Sequence, residues 1–301
     1  MNYIQYQQQP YLNNILIQQY NKDVKQFQDY LIYLQIKLGK GNYGTVYLCQ
    51  NYKNEKFYAC KMVNIGNHEE TLKEMYVASE VKGNYVCQLY FAGASQNYLY
   101  LMAEYCPQGT LKEYIKQNKP SLNRIMVIFS QIVQGYYESI YKENIIHRDL
   151  KLDNILMKDN IPKICDFGFG KFLDNVQLSI EHSSKCTPLY AAPQIMNGSN
   201  KYSYKADIYS LGVLLYQITN NLQNPNQVNS LMDLNNFHDN NNSYGIENTL
   251  KFQSPFLDQN IKLLIYKMMK YNEADRISIE ELVKRTQQIS NYYQKYPLNQ
   301  Q

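Results

Sequence analysis

The sequence predicts an α+β protein with two lobes: a first lobe built on an antiparallel β-sheet with one helix, and a mainly helical second lobe. The first third of the chain contains short segments rich in β-branched and aromatic residues, whereas the remainder has apolar residues at helical spacing. This change falls near residues 104–108, which we take as the lobe boundary. A length of 301 residues is sufficient for two lobes that share a core.

Composition excludes several classes of protein. An apolar content of 45% argues against a disordered chain, and a net charge of +4 does not indicate nucleic acid as the main partner. The six cysteines are scattered singly, the first ten residues are polar, and the longest apolar runs (125–129 and 211–215) are too short for a bilayer. We therefore expect a soluble cytoplasmic protein with no membrane span and no nucleic-acid partner.

Four regions are predicted along the chain. Residues 1–30 form a polar flank rich in Gln, Asn and Tyr, which is either disordered or one docking helix. The folded domain covers 31–290, with an N-lobe at 31–105 and a C-lobe at 106–290. Residues 291–301 form a polar tail.

The elements follow from periodicity and from turn residues. Helix 69–82 opens with acids, which suit a helix N-terminus. The predicted strands are 33–40, 44–50, 56–63, 85–91, 97–105, 155–157 and 161–165. The other predicted helices are 121–143, 206–219, 257–270 and 279–290. An Asn-rich stretch at 220–248 is predicted to be a surface connection.

A glycine-rich segment opens the first lobe. Its glycines allow the backbone to approach a polyphosphate closely and to turn N–H groups toward it. An ordinary glycine-rich hairpin is the alternative. The segment after it is strand-like, which argues against a dinucleotide-binding fold. The candidate nucleotide-binding residues here are Leu38, Gly39, Lys40, Gly41, Asn42, Tyr43, Gly44, Thr45 and Val46.

Lys61 lies in the second strand after this segment. A strand lysine is usually exposed, but behind a glycine-rich hairpin it can reach back to nucleotide phosphates. A helical carboxylate would hold it there. Glu74 is the candidate that we favour, with Glu69, Glu70 and Glu80 as competitors.

The segment HRDLKLDN at 147–154 carries the most specific signal. Asp149 can accept the proton of a hydroxyl group, and Asn154 can bind a Mg²⁺ ion. Asp166 opens the tripeptide DFG a short distance further on. These motifs, in this order behind the glycine-rich segment and Lys61, resemble the eukaryotic protein kinase superfamily of the serine/threonine type, over roughly residues 31–290. The strings DFGFGK and YKADIYSLGVLLYQ look somewhat like unc-51-like autophagy kinases, and also like calcium/calmodulin-dependent-type kinases.

The resemblance implies a bilobal protein-kinase-like fold that binds ATP and Mg²⁺, with Mn²⁺ as an alternative ion. It makes Asp149 the catalytic base, Asn154 and Asp166 the metal ligands, and Lys61 a partner of both the phosphates and Glu74. Adenine would bind between the lobes. The residues that would contact adenine are the side chains of Val46, Ala59 and Leu156 and the backbone groups of Glu104 and Cys106. Ala103 matches the gatekeeper position, where it implies either an enlarged back pocket or a space that a neighbouring aromatic residue fills.

Two positions of the resemblance indicate serine/threonine substrates. Lys151 matches the serine/threonine form of the catalytic loop, and Thr187 matches the residue that bonds to the catalytic Asp and Lys. Asp153 is able to attract a basic substrate residue, although Gln217 stands where kinases of that preference often carry a second acid. The expected partners are proteins with Ser or Thr acceptors.

Arg148 beside Asp149 implies activation by phosphate on the segment 166–194. Ser183 and Ser184 are the candidate phosphosites, which implies an upstream activating kinase. Gln194 departs from the family, which has Glu there, so we expect a less compensated Arg276 and a less stable C-lobe. An alternative to an active kinase is a catalytically weak pseudokinase that acts as a scaffold. A small-molecule kinase is disfavoured, because the segment 187–193 looks like a peptide-docking segment.

Overall fold

The computed structural model describes residues 23–40, 44–64, 68–172, 187–196, 203–220, 250 and 257–296. Several predictions lie outside these described residues. They concern the central residues of the glycine-rich segment, the two phosphosites and the Asn-rich connection: Gly41, Asn42, Tyr43, Ser183, Ser184 and 221–249.

Among its described residues, the N-lobe contains an antiparallel sheet of six strands and one helix. The strands are β1 (Val24–Phe27), β2 (Tyr30–Lys40), β3 (Gly44–Asn51), β4 (Phe57–Asn64), β5 (Leu89–Ala94) and β6 (Tyr98–Glu104), and the helix is α1 (His68–Glu80). The strands are ordered β1-β2-β3-β4-β6-β5. Because side chains alternate along a strand, residues 59 and 61 of β4 lie on one face and residues 60 and 62 on the other.

Strand β1 lies within the stretch that composition assigns to the polar flank. It pairs with β2 in the register Val24↔Tyr33 to Phe27↔Tyr30. The ring of Phe27 stacks on Tyr100 of β6 with 3.9 Å between centroids. An isolated four-residue strand has little periodicity, so tertiary packing rather than local pattern determines it. Strand β5 begins at Leu89 rather than at 85, since the preceding residues pair instead with Ile164, to which Val86 forms an isolated bridge.

The C-lobe is mainly helical. Its helices are α2 (Leu111–Asn118), α3 (Leu122–Ser139), α4 (Pro193–Met196), α5 (Lys205–Thr219), α6 (Gln259–Met268) and α7 (Ile279–Lys295). Its short strands are β7 (Ile145–Ile146), β8 (Ile155–Lys158), β9 (Ile161–Ile164) and β10 (Lys171–Phe172), paired as β7–β10 and β8–β9. Helix α7 continues five residues beyond the predicted end of the domain at 290.

Two helices show how local signals set their bounds. Helix α2 begins after a capping box, in which the Thr110 side chain accepts from the Glu113 backbone and the Glu113 carboxylate accepts from the Thr110 N–H. Helix α3 ends at Ser139 rather than at 143, because Ile140 leaves helical geometry and a 3₁₀ turn follows at Tyr141–Glu143. Helix α5 is buried on nearly all sides and forms the centre of the C-lobe core.

Candidate active site

Asp149 lies in the loop between β7 and a 3₁₀ turn at Leu152–Asn154, and it is 3% exposed. Its Oδ1 accepts from the Thr187 hydroxyl at 2.9 Å, and its Oδ2 accepts from Lys151 Nζ at 2.6 Å and from Asn154 Nδ2 at 2.9 Å. Lys151 Nζ also donates to Thr187 Oγ1 at 3.0 Å. These bonds fix the carboxylate with one cation and two neutral donors around it.

Asp207, on helix α5, binds the backbone of the loop that carries Asp149. It is fully buried in α5 and accepts the N–H groups of His147 and Arg148 at 2.7 and 2.8 Å, together with the Tyr136 hydroxyl at 3.0 Å. Burial raises the pKa of Asp207. Arg148 has φ 70°, a left-handed conformation that costs an L-residue roughly 1–2 kcal/mol and that the bond to Asp207 helps to stabilise.

The motifs of the sequence do not single out Asp207 as a functional residue. A single acid inside the apolar run of α5 was the available signal, since a buried charge must have partners.

The segment 165–168 joins this loop to the interlobe cleft. Asp166 has φ 63°, and its Oδ1 accepts from the Gly168 N–H at 3.4 Å. Phe167 is buried, and its ring lies 5.1 Å from the His147 ring, centroid to centroid. Turning Phe167 into the core leaves the Asp166 side chain 37% exposed toward the cleft.

Lys61 reaches Asp166 across the cleft. It lies in the middle of β4, opposite Val46 of β3 and Leu101 of β6. Its Nζ is 3.8 Å from Asp166 Oδ1. Glu74 lies in α1, but its side chain is outside the described residues. The two lobes therefore bring Lys61 and Asp166 together, while the pairing of Lys61 with Glu74 stays a prediction.

The glycine-rich segment connects β2 to β3. At Gly44 an added Cβ would come within 2.2 Å of the Met62 carbonyl oxygen, so the strand packing itself requires glycine there. At Gly39 no atom of the described residues lies within 4 Å of such a Cβ. Packing against β4 therefore explains Gly44, whereas no packing contact among the described residues requires glycine at position 39.

The predicted adenine-contacting side chains come from strands of both lobes. Val46, Ala59 and Leu156 are all half-buried. Ala59 is paired directly with Ala103 of β6, so two small residues lie side by side on the cleft face of the sheet. Cys106, just beyond the end of β6, is 8% exposed.

Glu104 connects this segment between the lobes to the C-lobe. It is 5% exposed, and its carboxylate pairs with Lys158 Nζ at 2.9 Å and with Lys163 Nζ at 3.2 Å. Burial opposes ionisation of Glu104, but the hydrogen bond from Lys158 and the charges of Lys163 and Lys158 outweigh it and hold its pKa below the ordinary value.

This lowered pKa predicts a pH dependence of stability. A carboxylate whose folded pKa is depressed contributes stability above its unfolded pKa and loses it as pH falls through the folded value. We expect Glu104→Gln to lower the free energy of unfolding by about 2 kcal/mol at pH 7, and the difference to shrink below roughly pH 4.3. Urea unfolding of both proteins between pH 7 and pH 3.5 measures this. A difference that is constant with pH would contradict it.

Gln194, at the start of α4, is compensated in a way that the sequence did not reveal. Its Oε1 accepts from Arg276 Nη2 at 2.7 Å, and its Nε2 donates to Glu273 Oε2 at 2.7 Å. The amide thus bridges a cation and an anion. Glu273 lies at the far end of this bridge, and the Arg276 guanidinium also lies over the Tyr209 ring at 5.1 Å. Burial nevertheless lowers the pKa of Arg276 to about 10, so the expectation of a less compensated Arg276 and a less stable C-lobe stays a prediction.

This bridge predicts that the family's usual residue is unfavourable here. Gln194→Glu would lose the bond to Glu273 and set two carboxylates against each other, so we expect a loss of about 1 kcal/mol in unfolding free energy. In the Glu273→Gln background the same change should be neutral or stabilising. A double-mutant cycle in urea measures the coupling between the two residues. An equal change in unfolding free energy from Gln194→Glu in both backgrounds would contradict the bridge.

Two further polar groups near Asp149 are already engaged within the chain. Asp153 pairs with Lys112 of α2 at 3.3 Å, and both side chains are exposed. The Gln217 Oε1 accepts from the Tyr190 hydroxyl at 2.5 Å. Because Lys112 already offsets the charge of Asp153, this residue gives only weak support to the predicted attraction for a basic substrate.

Comparison with known proteins identifies the family. Residues 33–286 match the protein kinase domain, and the chain belongs to that family. It is 33% identical over 179 residues to serine/threonine-protein kinase pakG of Dictyostelium discoideum. The aligned residues make up 58% of this chain and 15% of pakG. It is 30% identical over 210 residues to atg1 of the same organism (65% and 31%), and 28% identical over 260 residues to human ULK1 (81% and 24%).

The chain spans less than half the length of each of these relatives. All three are described as serine/threonine-protein kinases, which confirms the predicted family and its type. The bilobal α+β fold is confirmed as well. A protein of this family uses ATP and a divalent metal ion. Within the described ranges, none of the helices combines the length and the hydropathy of a membrane span.

Proposed function

We propose that this protein is an active serine/threonine protein kinase, which transfers the γ-phosphate of ATP to Ser and Thr hydroxyls of proteins. The observation that carries the proposal is the Asp149 carboxylate, held by Lys151, Asn154 and Thr187 within 3.0 Å. A carboxylate fixed in this way can accept the proton of a substrate hydroxyl as the oxygen attacks phosphorus. A pseudokinase is disfavoured, because the chain carries the complete set of Lys61, Asp149, Asn154 and Asp166.

The donor set suits Mg²⁺. Asn154 Nδ2 donates to the Asp149 carboxylate and carbonyl, which directs the amide oxygen of Asn154 to the opposite side. That oxygen and the Asp166 carboxylate are hard ligands, and Mg²⁺ typically takes one or two protein ligands and completes its shell with water and phosphate oxygens. Mn²⁺ accepts the same ligands. The bound ion would neutralise charge on the phosphates.

ATP would bind between the lobes. Lys61 would pair with its α- and β-phosphates and with Glu74, while residues 38–46 would cover the phosphates. The half-buried side chains of Val46, Ala59 and Leu156 offer an apolar slot for adenine. The backbone groups of Glu104 and Cys106 would bond to its edge.

Regulation would act through the segment that carries Ser183 and Ser184. Phosphate on either residue adds charge that Arg148 can pair with, so an upstream kinase or the protein itself would activate it. We also propose a cytoplasmic location. The five described cysteines are free thiols, as expected in a reducing compartment.

Phosphoryl transfer to a basic test protein and to the chain itself tests the proposal. We expect Mg²⁺-dependent label from [γ-³²P]ATP on Ser and Thr only, with autophosphorylation mapped to Ser183 or Ser184. Nucleotide-dependent thermal stabilisation without transfer, even after treatment with an activating kinase, would support the pseudokinase instead.

The small residues at 59 and 103 predict a sensitivity to bulky inhibitors. With Ala59 beside Ala103, an adenine analogue with a large N6 substituent should fit the cleft. We expect Ala103→Met to weaken inhibition by such an analogue roughly tenfold or more through steric overlap, while the KM for ATP changes little. An inhibitor without the bulky group serves as control, and equal potency of the bulky analogue on both proteins would exclude the enlarged pocket.

A further inference from the structure

Two cysteine thiols converge on one backbone carbonyl in the segment that connects the lobes. Cys87 Sγ donates to the Glu104 carbonyl oxygen at 3.4 Å, and Cys106 Sγ contacts the same oxygen at 4.0 Å. The two residues come from different parts of the chain, Cys87 just before β5 and Cys106 just after β6. The bond from the Glu104 N–H to the Gln88 carbonyl continues the pairing of β5 with β6 up to this point.

We propose that Cys87 and Cys106 form a reversible disulfide on exposure to hydrogen peroxide, and that this bond weakens nucleotide binding. The effect on nucleotide rests on the proposed function, in which the Glu104 carbonyl and the Cys106 backbone bind adenine. Formation of the disulfide itself does not depend on that function.

Accessibility distinguishes this pair from a second one in the N-lobe. Cys49 and Cys60 also neighbour each other, across β3 and β4, but both are 0% exposed, and Cys49 Sγ lies 3.7 Å from Met102 Sδ. Cys87 is half-buried, which makes it the most accessible of these four cysteines to a small oxidant. Cys106 is only 8% exposed, and the hydrogen bond to Cys87, followed by burial, raises its pKa. The greater exposure of Cys87 makes it the residue that peroxide attacks first.

The chemistry needs one molecule of peroxide. The Cys87 thiolate attacks a peroxide oxygen, the O–O bond breaks, and hydroxide leaves, so the sulfur becomes a sulfenic acid. Cys106 sulfur then attacks the Cys87 sulfur, the S–O bond breaks, and water leaves. In total, two thiols and one hydrogen peroxide give one disulfide and two waters.

The bond changes the segment where adenine would bind. In the reduced protein, both sulfurs contact the same carbonyl oxygen. In the disulfide, they would lie about 2.05 Å apart, which draws the Cys106 backbone toward the residues before β5. The backbone bonds to adenine depend on the position of that segment. We therefore expect affinity for a fluorescent nucleotide, mant-ATP, to fall roughly tenfold, the loss of about one well-formed hydrogen bond.

The test treats the full chain with hydrogen peroxide, maps disulfides by peptide mass spectrometry without reduction, and measures mant-ATP affinity in the same samples. We expect a Cys87–Cys106 cross-link, a roughly tenfold weaker affinity, and recovery of both after dithiothreitol. Cys87→Ser should bind mant-ATP normally and lose the response to peroxide. Cys60→Ala is the control that changes the buried pair and should keep the response.

The outcomes separate the inference from the proposed function. A map that lacks the Cys87–Cys106 cross-link, or that joins Cys106 to Cys165, would overturn the inference, as would a Cys87→Ser protein that still responds to peroxide. If the reduced wild type binds no mant-ATP, the proposed function fails, while the mass map still decides the thiol chemistry. Reversal by dithiothreitol in the wild type provides the test even if a variant does not fold.

Discussion

Asp149→Asn should reduce the rate of phosphoryl transfer by about 10²–10⁴-fold, the range that a general base contributes. The substitution keeps the size of the side chain and removes its capacity to take a proton. It also turns an N–H₂ group toward the donors at Thr187, Lys151 and Asn154, which now all point at carboxylate oxygens. The lost base and the disturbed loop act in the same direction, so this is the largest effect on activity that we expect from one residue.

Single-turnover transfer from Mg·ATP to a peptide, together with mant-ATP affinity, measures this prediction. Nucleotide affinity should change by less than about threefold. The bonds that the substitution disturbs come from Lys151, Asn154 and Thr187, and none of them involves Lys61 or the N-lobe sheet, where the nucleotide would bind. Asp159→Asn is the matched control, since Asp159 is exposed in the turn between β8 and β9 and Asn accepts its φ of 51° well. A transfer rate in Asp149→Asn close to that of the control would exclude Asp149 as the base.

The sequence was sufficient for the elements with strong periodicity and for the motif residues. Strand β4, helix α5 and the catalytic loop lie where pattern and motif predict them, since each combines regular spacing with a residue type that has few alternative roles. Strand β1 could not be predicted from its own four residues, because pairing with β2 and the stacking of Phe27 on Tyr100 stabilise it. Helix α2 was predictable in principle from the Thr110–Glu113 capping box.

The parts of the site that the sequence missed are all long-range polar contacts. Asp207 and Arg148 are 59 residues apart in the chain, and Glu104 and Lys158 are 54 apart. Gln194 shows the limit most clearly. From the sequence alone, Gln194 replaces the Glu that the family pairs with Arg276, and an ion pair is lost. In the structure, Gln194 lies between Arg276 and Glu273 and bonds to both. A partner in space can reverse the sign of a residue's expected effect, and periodicity carries no information about that partner.

Arg276→Met should lower the free energy of unfolding by about 3–5 kcal/mol, the range for removing one partner from a buried charged cluster. Arg276 is 2% exposed, and burial lowers its pKa to about 10. Its guanidinium donates to the carbonyl oxygens of Lys270, Lys205 and Tyr271 at 2.7–2.9 Å, besides its bond to Gln194. Methionine can fill the space but leaves three partly buried carbonyls and the amide oxygen without their donor.

Urea unfolding of the wild type, Arg276→Met and Arg285→Met measures the difference. Arg285 is the matched control, because it forms an exposed pair with Glu281 one turn away on α7, and such pairs contribute about 0.3–0.5 kcal/mol. A loss in Arg276→Met no greater than in Arg285→Met would contradict the cluster. The cluster also anchors Gln194, which is seven residues from Thr187, whose hydroxyl bonds to Asp149. We therefore expect the KM for the peptide to rise in folded Arg276→Met while nucleotide affinity stays unchanged, because the damage reaches the C-lobe side of the site and leaves the N-lobe sheet intact.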